Sequence, residues 1–363
     1  MKVEKVLDLT IIVPTYNEVE NMEELITGIE EIFRKEKPEV EYEILVMDDN
    51  SPDGTGKKVE ELSKKGHNCR VIIRTENRGL SPSVIEGFEK ADGEICLVMD
   101  ADLQHPIEVV PKLYQAVKDG TQVAVGSRHC PGGGIENWAF HRRVISWGAA
   151  LLARPFTSVS DPMSGFFAVE KKLLKGCKLE AKGYKILLEV LVKTKCTKVV
   201  EVPITFTTRV HGESKLTSGV MINYILHLWA LFCYPGTCPL LKFLVVGGLG
   251  TVVDLTIFTI LSLIGLPIIV AQGFSFIAAL CNNFFLNSLW TFPQEVDKNE
   301  KMKQFIKFAI VSCCTFGIRT LLFTIGKSYI PNQFPYIQIL LFFVILSVTI
   351  INFLGSKFLV FKN

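Results

Sequence analysis

The sequence predicts an α/β domain built on a mainly parallel sheet, followed by an all-α membrane domain of four helices in two hairpins. Three observations lead there. Of the 39 basic and 37 acidic residues in the 363-residue chain, only 9 and 4 fall after residue 235, so charge is concentrated in the first part. That part alternates strand-like and helix-like runs, the order of a parallel sheet covered by helices. The last part holds four apolar stretches long enough to cross a bilayer. A purely soluble enzyme is excluded, and a formal net charge of +2 gives no reason to expect a nucleic-acid partner.

The opening residues Met1 to Thr10 carry Lys and Glu without a long apolar run, so no cleaved signal peptide is expected. Leu9 to Pro14 is an apolar run that ends at Pro-Thr-Tyr-Asn-Glu, and a helix-like segment follows to about Lys35. Strand-like runs recur at Tyr42 to Met47, Arg70 to Ile73, Ile95 to Met99 and Gln122 to Val125. In such a sheet, ligands bind at the carboxyl ends of the strands. The residues that carry chemistry gather there: Pro14 to Glu18, Asp48 to Gly54, Asp100 to Pro106 and Gly126 to Arg128.

Asp100-Ala-Asp102-Leu-Gln104-His-Pro106 is the most informative segment. Two carboxylates at i and i+2 on a strand end can hold a divalent cation that neutralises a diphosphate leaving group. Alternatively, one aspartate caps the helix that starts after Pro106. The pair Asp48-Asp49, followed by Asn-Ser-Pro-Asp-Gly, ends another strand and could accept hydrogen bonds from a base or ribose. Turn chemistry accounts equally for Ser51 to Gly54. His105 reads as a structural residue at a helix start, whereas His211 lies in a Gly-containing segment that could close over a donor.

Two apolar stretches bracket these motifs and the membrane half. Leu216 to Tyr234 has Val220, Met221, Tyr224, Ile225, Leu228, Trp229 and Phe232 at helical spacing and no acid. Such a helix can lie in the membrane interface or face the core of the soluble domain. Trp138 to Phe156, with His141, Arg142 and Arg143 ahead of its apolar stretch, suits an anionic lipid head group. The ten cysteines show no metal-ligand spacing and are expected to be reduced thiols without a role.

The four predicted spans are Phe243 to Leu266, Ile268 to Phe292, Phe308 to Gly326 and Gln333 to Ser356. Lysines 242, 298, 301, 303, 307, 357 and 362 fall on the side of the N-terminal domain, against Lys327 alone on the other. The positive-inside rule then puts the soluble domain in the cytoplasm. An internal repeat is legible: Lys242-Phe-Leu-Val-Val-Gly returns as Lys307-Phe-Ala-Ile-Val-Ser, and Asn283-Phe284 to Phe292 returns as Asn352-Phe353 to Phe361. Asp254 and Arg319, the charges within the spans, each lie 12 residues beyond a repeated lysine, at a depth of about 18 Å along a helix. They are expected to pair, as a packing salt bridge or as a contact to lipid phosphate or a transported head group.

Taken in order, VPTYNE (Val13 to Glu18), DDNSPDGT (Asp48 to Thr55), DADLQHP (Asp100 to Pro106), GSR (Gly126 to Arg128), SDPMSGFF (Ser160 to Phe167) and RVHGESKL (Arg209 to Leu216) resemble the dolichyl-phosphate mannose synthases, polyprenyl-phosphate enzymes of glycosyltransferase family 2. The membrane half, with its KFxxVG and NFxxxxxWTF elements, is similar to the GtrA-like domain that some members append. Many eukaryotic single-chain members lack that domain, so the arrangement is similar to the archaeal or bacterial type. The resemblance implies a cytoplasmic GT-A (Rossmann-like) domain over 1–214, an amphipathic interface helix or linker over 215–235 and a four-helix GtrA-like domain over 236–363.

It also implies roles for residues. Pro14, Tyr16 and Glu18 match positions that contact the nucleotide, Val46 and Asp48 those around the base, and Asp100 with Ala101 those near ribose and diphosphate. Asp102 and Gln104 match the metal side, with Mg²⁺ or Mn²⁺ expected because oxygen donors suit hard cations. Arg128, Lys185, Arg209 and Lys215 match basic positions for phosphate or sugar. Arg142 and Ser146, together with Arg128, suit an acceptor phosphate. The implied catalytic set is Asp100, Asp102, Gln104 and Arg128, and the implied partners are GDP-mannose, dolichyl or polyprenyl phosphate and the lipid bilayer, with no obligate protein partner.

A lipid monophosphate is already anionic at neutral pH, so no general base is expected. The enzyme must bring two anions together and stabilise the departing nucleoside diphosphate. Attack opposite the leaving group inverts the sugar, giving a β-linked lipid product for glycosylation pathways. Two other readings stand beside this one: the same chemistry with UDP-glucose or a UDP-amino sugar, and a lipid-linked sugar translocase in which the four-helix half does the work.

Overall fold

The computed structural model describes residues 7–135, 140–180, 186–206, 218–293, 295–296, 300–330 and 336–361. The chain divides into two compact units, Met1–Leu231 and Phe232–Asn363.

The first unit is organised by a seven-stranded sheet. Its strands are β1 (Leu7–Thr15), β2 (Tyr42–Asp48), β3 (Cys69–Ile73), β4 (Gly93–Val98), β5 (Val123–Ser127), β7 (Phe167–Glu170) and β8 (Val199–Pro203), in the order β3-β2-β1-β4-β7-β5-β8. Only β7 runs antiparallel to its neighbours. The short strands β6 (Gly134–Ile135) and β9 (Thr205–Phe206) pair separately. The five strands expected from apolar runs correspond to β1 through β5; β7, with four residues, and β8, whose run is broken by Glu201 and ends at Pro203, are not among those expected.

Side-chain alternation divides the core into two layers. Ile11, Val13, Ile44, Val46, Leu97 and Ala168 face one layer, under α1 (Met22–Glu36) and α4 (Val110–Lys118). Ile12, Leu45, Met47, Cys96, Val98 and Phe167 face the other, with Val84 and Phe88 of α3 (Leu80–Lys90). Helix α1 shows why the pattern works: Met22, Leu25, Ile26, Ile29 and Phe33 form one buried stripe at helical spacing. The helix α2 (Thr55–Lys64) starts behind Asp53, whose carboxylate accepts from Thr55 N and Oγ1 at 3.0 and 2.6 Å.

The strand ends share one further feature. Asn17, Asn50, Asn77 and Leu103, which follow β1, β2, β3 and β4, all take positive φ of 47–61°. Asparagine tolerates that conformation, whereas a bulky Leu103 there marks a turn that the surroundings enforce.

Four more helices complete the unit: α5 (Phe140–Ala153), α6 (Lys171–Leu174), α7 (Ile186–Lys193) and α8 (Ser218–Cys233), the last running two residues into the second unit. Expected as an amphipathic helix facing the membrane interface or the core, α8 buries Leu231 with Ala153, Met163, Leu188 and Val192, while the Tyr224 hydroxyl donates to Ala149 O at 2.6 Å. Its other face exposes Met221, Ile222, Ile225, Leu226 and Trp229.

The second unit contains α9 (Pro239–Leu263), α10 (Ile268–Leu286), α11 (Lys301–Lys327) and α12 (Tyr336–Gly355). Four stretches are long and apolar enough to cross a membrane. Helices α10 and α12 each end in a π-helical turn, Asn287–Thr291 and Ser356–Val360, at equivalent points of the repeat. Phe243, Phe292, Phe308, Phe353 and Phe361 pack together, with Phe292 and Phe361 stacked at 4.8 Å. A Cβ at Gly250 would collide with the Asn283 side-chain amide, so only glycine lets α9 approach α10 this closely. Among the described residues no ion pair joins Asp254 to Arg319, contrary to expectation. Packing is concentrated within each hairpin, α9 with α10 and α11 with α12, and the helices carrying these two charges are not brought into close register.

Candidate active site

The carboxyl ends of β1 and β2 are tied together by backbone donors from one loop and side-chain acceptors of the other. Asn17 N donates to Ser51 Oγ at 3.0 Å, Glu18 N to Thr55 Oγ1 at 3.0 Å and Val19 N to Asp53 Oδ2 at 3.1 Å. Burial alone would raise the Asp53 carboxyl, but the hydrogen bonds from Thr55 and Val19 outweigh it and hold the group below the usual range. Tyr16 is exposed at this edge and Glu18 accepts from Asn21 Nδ2 at 2.7 Å.

The acidic pair turns out to shape these loops. Asp48, buried, accepts from Ser51 N at 3.1 Å, from the Ser51 hydroxyl and from Thr15 Oγ1 at 3.3 Å. Asp49 pairs with Arg74 and accepts from Gly79 N at 2.6 Å, while Arg74 also reaches Glu86 at 2.7 Å and Asn77 O at 2.8 Å. Both acids therefore shape the loops at the strand ends through donors from Ser51, Thr15, Arg74 and Gly79. Val46 lies in β2 with its side chain fully buried in the core layer against α1. Pro14 and Ala101 are likewise buried, so any contact they make with a nucleotide is through backbone at the strand end.

The turn after β4 presents the remaining acids. Asp102 Oδ1 accepts from Gln104 N at 3.2 Å, and Asp100 N donates to His105 Nδ1 at 3.1 Å. A Cβ on Gly165 would lie 3.0 Å from Asp100 Oδ2, so the carboxylate rests directly over a glycine. Among the described residues no cluster of three His, Cys, Asp or Glu side chains forms a complete metal cage. Two carboxylates and the Gln104 amide on one turn do fit a hard cation that takes its other ligands from water and substrate phosphate, the usual manner of Mg²⁺.

At the end of β5, Arg128 is held rather than free. Its Nε and Nη2 donate to Asp161 Oδ2 and Oδ1 at 2.7 and 2.8 Å, and its backbone N to Oδ2 at 3.1 Å. Burial alone would raise the Asp161 carboxyl, but the Arg128 guanidinium and amide outweigh it and keep the acid below its ordinary range. Arg128 also lies over the Phe206 ring at 5.3 Å. Ser160 N and Asp161 N donate to Glu201, which fixes the segment that carries Asp161. The neighbouring His129 places Nε2 3.5 Å from Ser146 Oγ on α5, and burial holds this imidazole below its usual range.

Lys185, Arg209, His211 and Lys215 lie outside the described residues, as does the side chain of Arg142. The reading of the sequence missed Asp161, Arg74, Glu201 and His129. Asp161 lay within a quoted motif, but a partner 33 residues from Arg128 has no local signature.

The glycosyl transferase family 2 profile matches residues 10–177, and the GtrA/DPMS transmembrane-domain profile matches residues 242–361. A dolichol-phosphate mannosyltransferase of Pyrococcus furiosus is 42% identical over 311 residues, 84% of this chain and 87% of its own length. That of Saccharomyces cerevisiae is 42% identical over 239 residues, covering 63% of this chain and 88% of its own length. An undecaprenyl-phosphate mannosyltransferase of Micrococcus luteus is 33% identical over 232 residues, 61% of this chain and 93% of its own. The strand-end acids on a mixed, mainly parallel sheet agree with the GT-A arrangement expected from the motifs.

Proposed function

We infer the reaction of a chain that belongs to the dolichol-phosphate mannosyltransferases of glycosyl transferase family 2: transfer of mannose from GDP-mannose to dolichyl phosphate, or a related polyprenyl phosphate, with inversion. The observation that carries this reading is the turn bearing Asp100 and Asp102, which contacts, through His105 and Phe206, the ring that also supports Arg128. Asp100, Asp102 and Gln104 would hold Mg²⁺ or Mn²⁺, which when bound offsets charge on the departing diphosphate. Tyr16 and Glu18 border the donor on the β1 edge. Arg128, oriented by Asp161, and Ser146 face the acceptor phosphate, with Arg142, Lys185, Arg209 and Lys215 as further cations for the two phosphorylated substrates. No side chain needs to remove a proton, because the acceptor oxygen is already anionic.

The soluble domain faces the cytoplasm in this reading. The test is a transfer assay on sealed vesicles with labelled GDP-mannose and UDP-glucose, polyprenyl phosphate and Mg²⁺ or Mn²⁺. Lipid-soluble label is expected from GDP-mannose in inside-out vesicles. Label from UDP-glucose instead overturns the donor, label in right-side-out vesicles overturns the orientation, and no label from either donor overturns the transferase in favour of a translocase.

Helices α5 and α8 expose Val144, Trp147, Leu151, Ile222, Leu226 and Trp229 while their opposite faces share one buried cluster. Lying in the interface, they would bring the lipid phosphate to the strand ends. Brominated lipids are expected to quench Trp147 and Trp229, measured as the signal lost in Trp147→Phe and Trp229→Phe; equal quenching in both variants and wild type would remove the interfacial assignment.

A further inference from the structure

We propose that His105 is a positioning residue for Asp100, acting through the hydrogen bond from Asp100 N to His105 Nδ1 and through an aromatic clamp on its ring. The inference rests on the donor-side reading of Asp100 given above. Strand β4 ends at Val98, and the last ladder-like bond beyond it is Met99 N to Ile12 O at 3.2 Å. Asp100 N is therefore the first amide that the sheet no longer serves. His105 Nδ1 accepts it at 3.1 Å and closes the Asp100 to His105 turn onto its own start. An acceptor nitrogen needs its lone pair, so the ring proton sits on Nε2. That second nitrogen lies 3.9 Å from Asp100 Oδ2, on the side where the carboxylate rests over Gly165.

The ring cannot swing away. It stacks on Phe166 at 4.9 Å with a 14° interplanar angle and meets the edge of Phe206 at 5.4 Å. Phe206 carries the Arg128 guanidinium at 5.3 Å from its centroid. Asp100, His105, Phe206 and Arg128 thus form one packed line between the donor acid and the acceptor-side arginine. His105 itself is 3% exposed and its ring is enclosed by Phe166 and Phe206, so it acts through Asp100. Leu103 in the left-handed region stores a strained turn that needs such a fastening.

The chemistry of the imidazole supplies a discriminating set of variants. In His105→Asn the amide Oδ1 takes the place of Nδ1 and keeps the acceptor. In His105→Gln the polar end reaches only the Nε2 position, and in His105→Phe the ring stacking survives without any acceptor. The readout is Mn²⁺ affinity of the full chain in detergent with GDP present, followed by electron paramagnetic resonance, alongside the melting midpoint. Loss of an outer-shell support costs about 10-fold or more in metal affinity, so His105→Phe and His105→Gln are expected to bind Mn²⁺ at least about 10-fold more weakly. His105→Asn is expected to stay within about 3-fold of wild type on the same scale.

KM for GDP-mannose is expected to rise with the loss of affinity, with KM for the lipid phosphate unchanged. Should His105→Phe fail to fold, the comparison of His105→Gln with His105→Asn carries the test. Wild-type affinity in His105→Phe or His105→Gln, or a His105→Asn variant as weak as these two, overturns the positioning role while leaving the transferase reading intact. A wild-type chain that binds no Mn²⁺ with GDP overturns the donor-side reading and this inference together.

Discussion

Asp102→Ala is expected to abolish mannosyl transfer while leaving the chain folded. Asp102 is 5% exposed just after β4, where its Oδ1 accepts from the Gln104 backbone N and fastens the turn. Removing the carboxylate takes away a hard oxygen donor. A departing nucleoside diphosphate then leaves without its charge being offset. Loss of one preorganised electrostatic group costs about 10²–10³-fold in kcat, and a loss in that range is expected here. The check is kcat/KM with GDP-mannose in detergent, with the melting midpoint measured in parallel. A folded Asp102→Ala variant that retains more than about a tenth of wild-type activity, against the 10²–10³-fold expectation, would remove the carboxylate from the reaction.

Asp161→Ala is expected to be the most destabilising single change at the site. Asp161 is fully buried and holds Arg128 by three hydrogen bonds, so its removal leaves a guanidinium without its bidentate partner. Breaking a buried pair from one side costs about 3–5 kcal/mol, and at about 2–4 °C per kcal/mol for a domain of this size the melting midpoint should fall by about 6–20 °C. Replacing both partners, as Arg128→Met with Asp161→Leu, should recover much of that stability without recovering transfer, since the cation is gone.

The pH dependence has a definite sign. The folded Asp161 carboxyl is below its unfolded value, so its contribution is present above the ordinary aspartate pKa of about 3.9 and is lost as pH falls through the lowered value. The gap in stability between wild type and Asp161→Ala should therefore be full at neutral pH and narrow in acid below about pH 4. A gap that stays constant down to strongly acidic pH would assign the loss to packing instead of charge.

Much of this protein was legible as sequence because its signals are local. The five apolar runs that became β1 to β5 needed only continuity and punctuation by Pro, Asn and Asp. The four spans needed only length and purity. The turn at Asp100 to Pro106 announced itself because its acids, amide and proline sit within seven residues. Motif order then carried the family assignment through the soluble half.

What failed to show was non-local. Asp49 reads as a strand-end acid, but its partners Arg74 and Gly79 come to it only when β2 and β3 lie side by side. Arg128 reads as a phosphate cation, yet Asp161 comes to it from 33 residues away along the chain. Asp254 and Arg319 sit at matching depth in the repeat, but depth along a helix says nothing of rotation about it or of which helices touch. His105 looked like a helix-start residue until Phe166 and Phe206, just before β7 and in β9, closed on its ring. By itself the sequence determined the two-part architecture, the strand-end turns and the chemical types at the site, because each depends on neighbours within a few residues. Only the tertiary structure decided how those groups are buried and hydrogen-bonded, because both are fixed by segments that meet across the sheet.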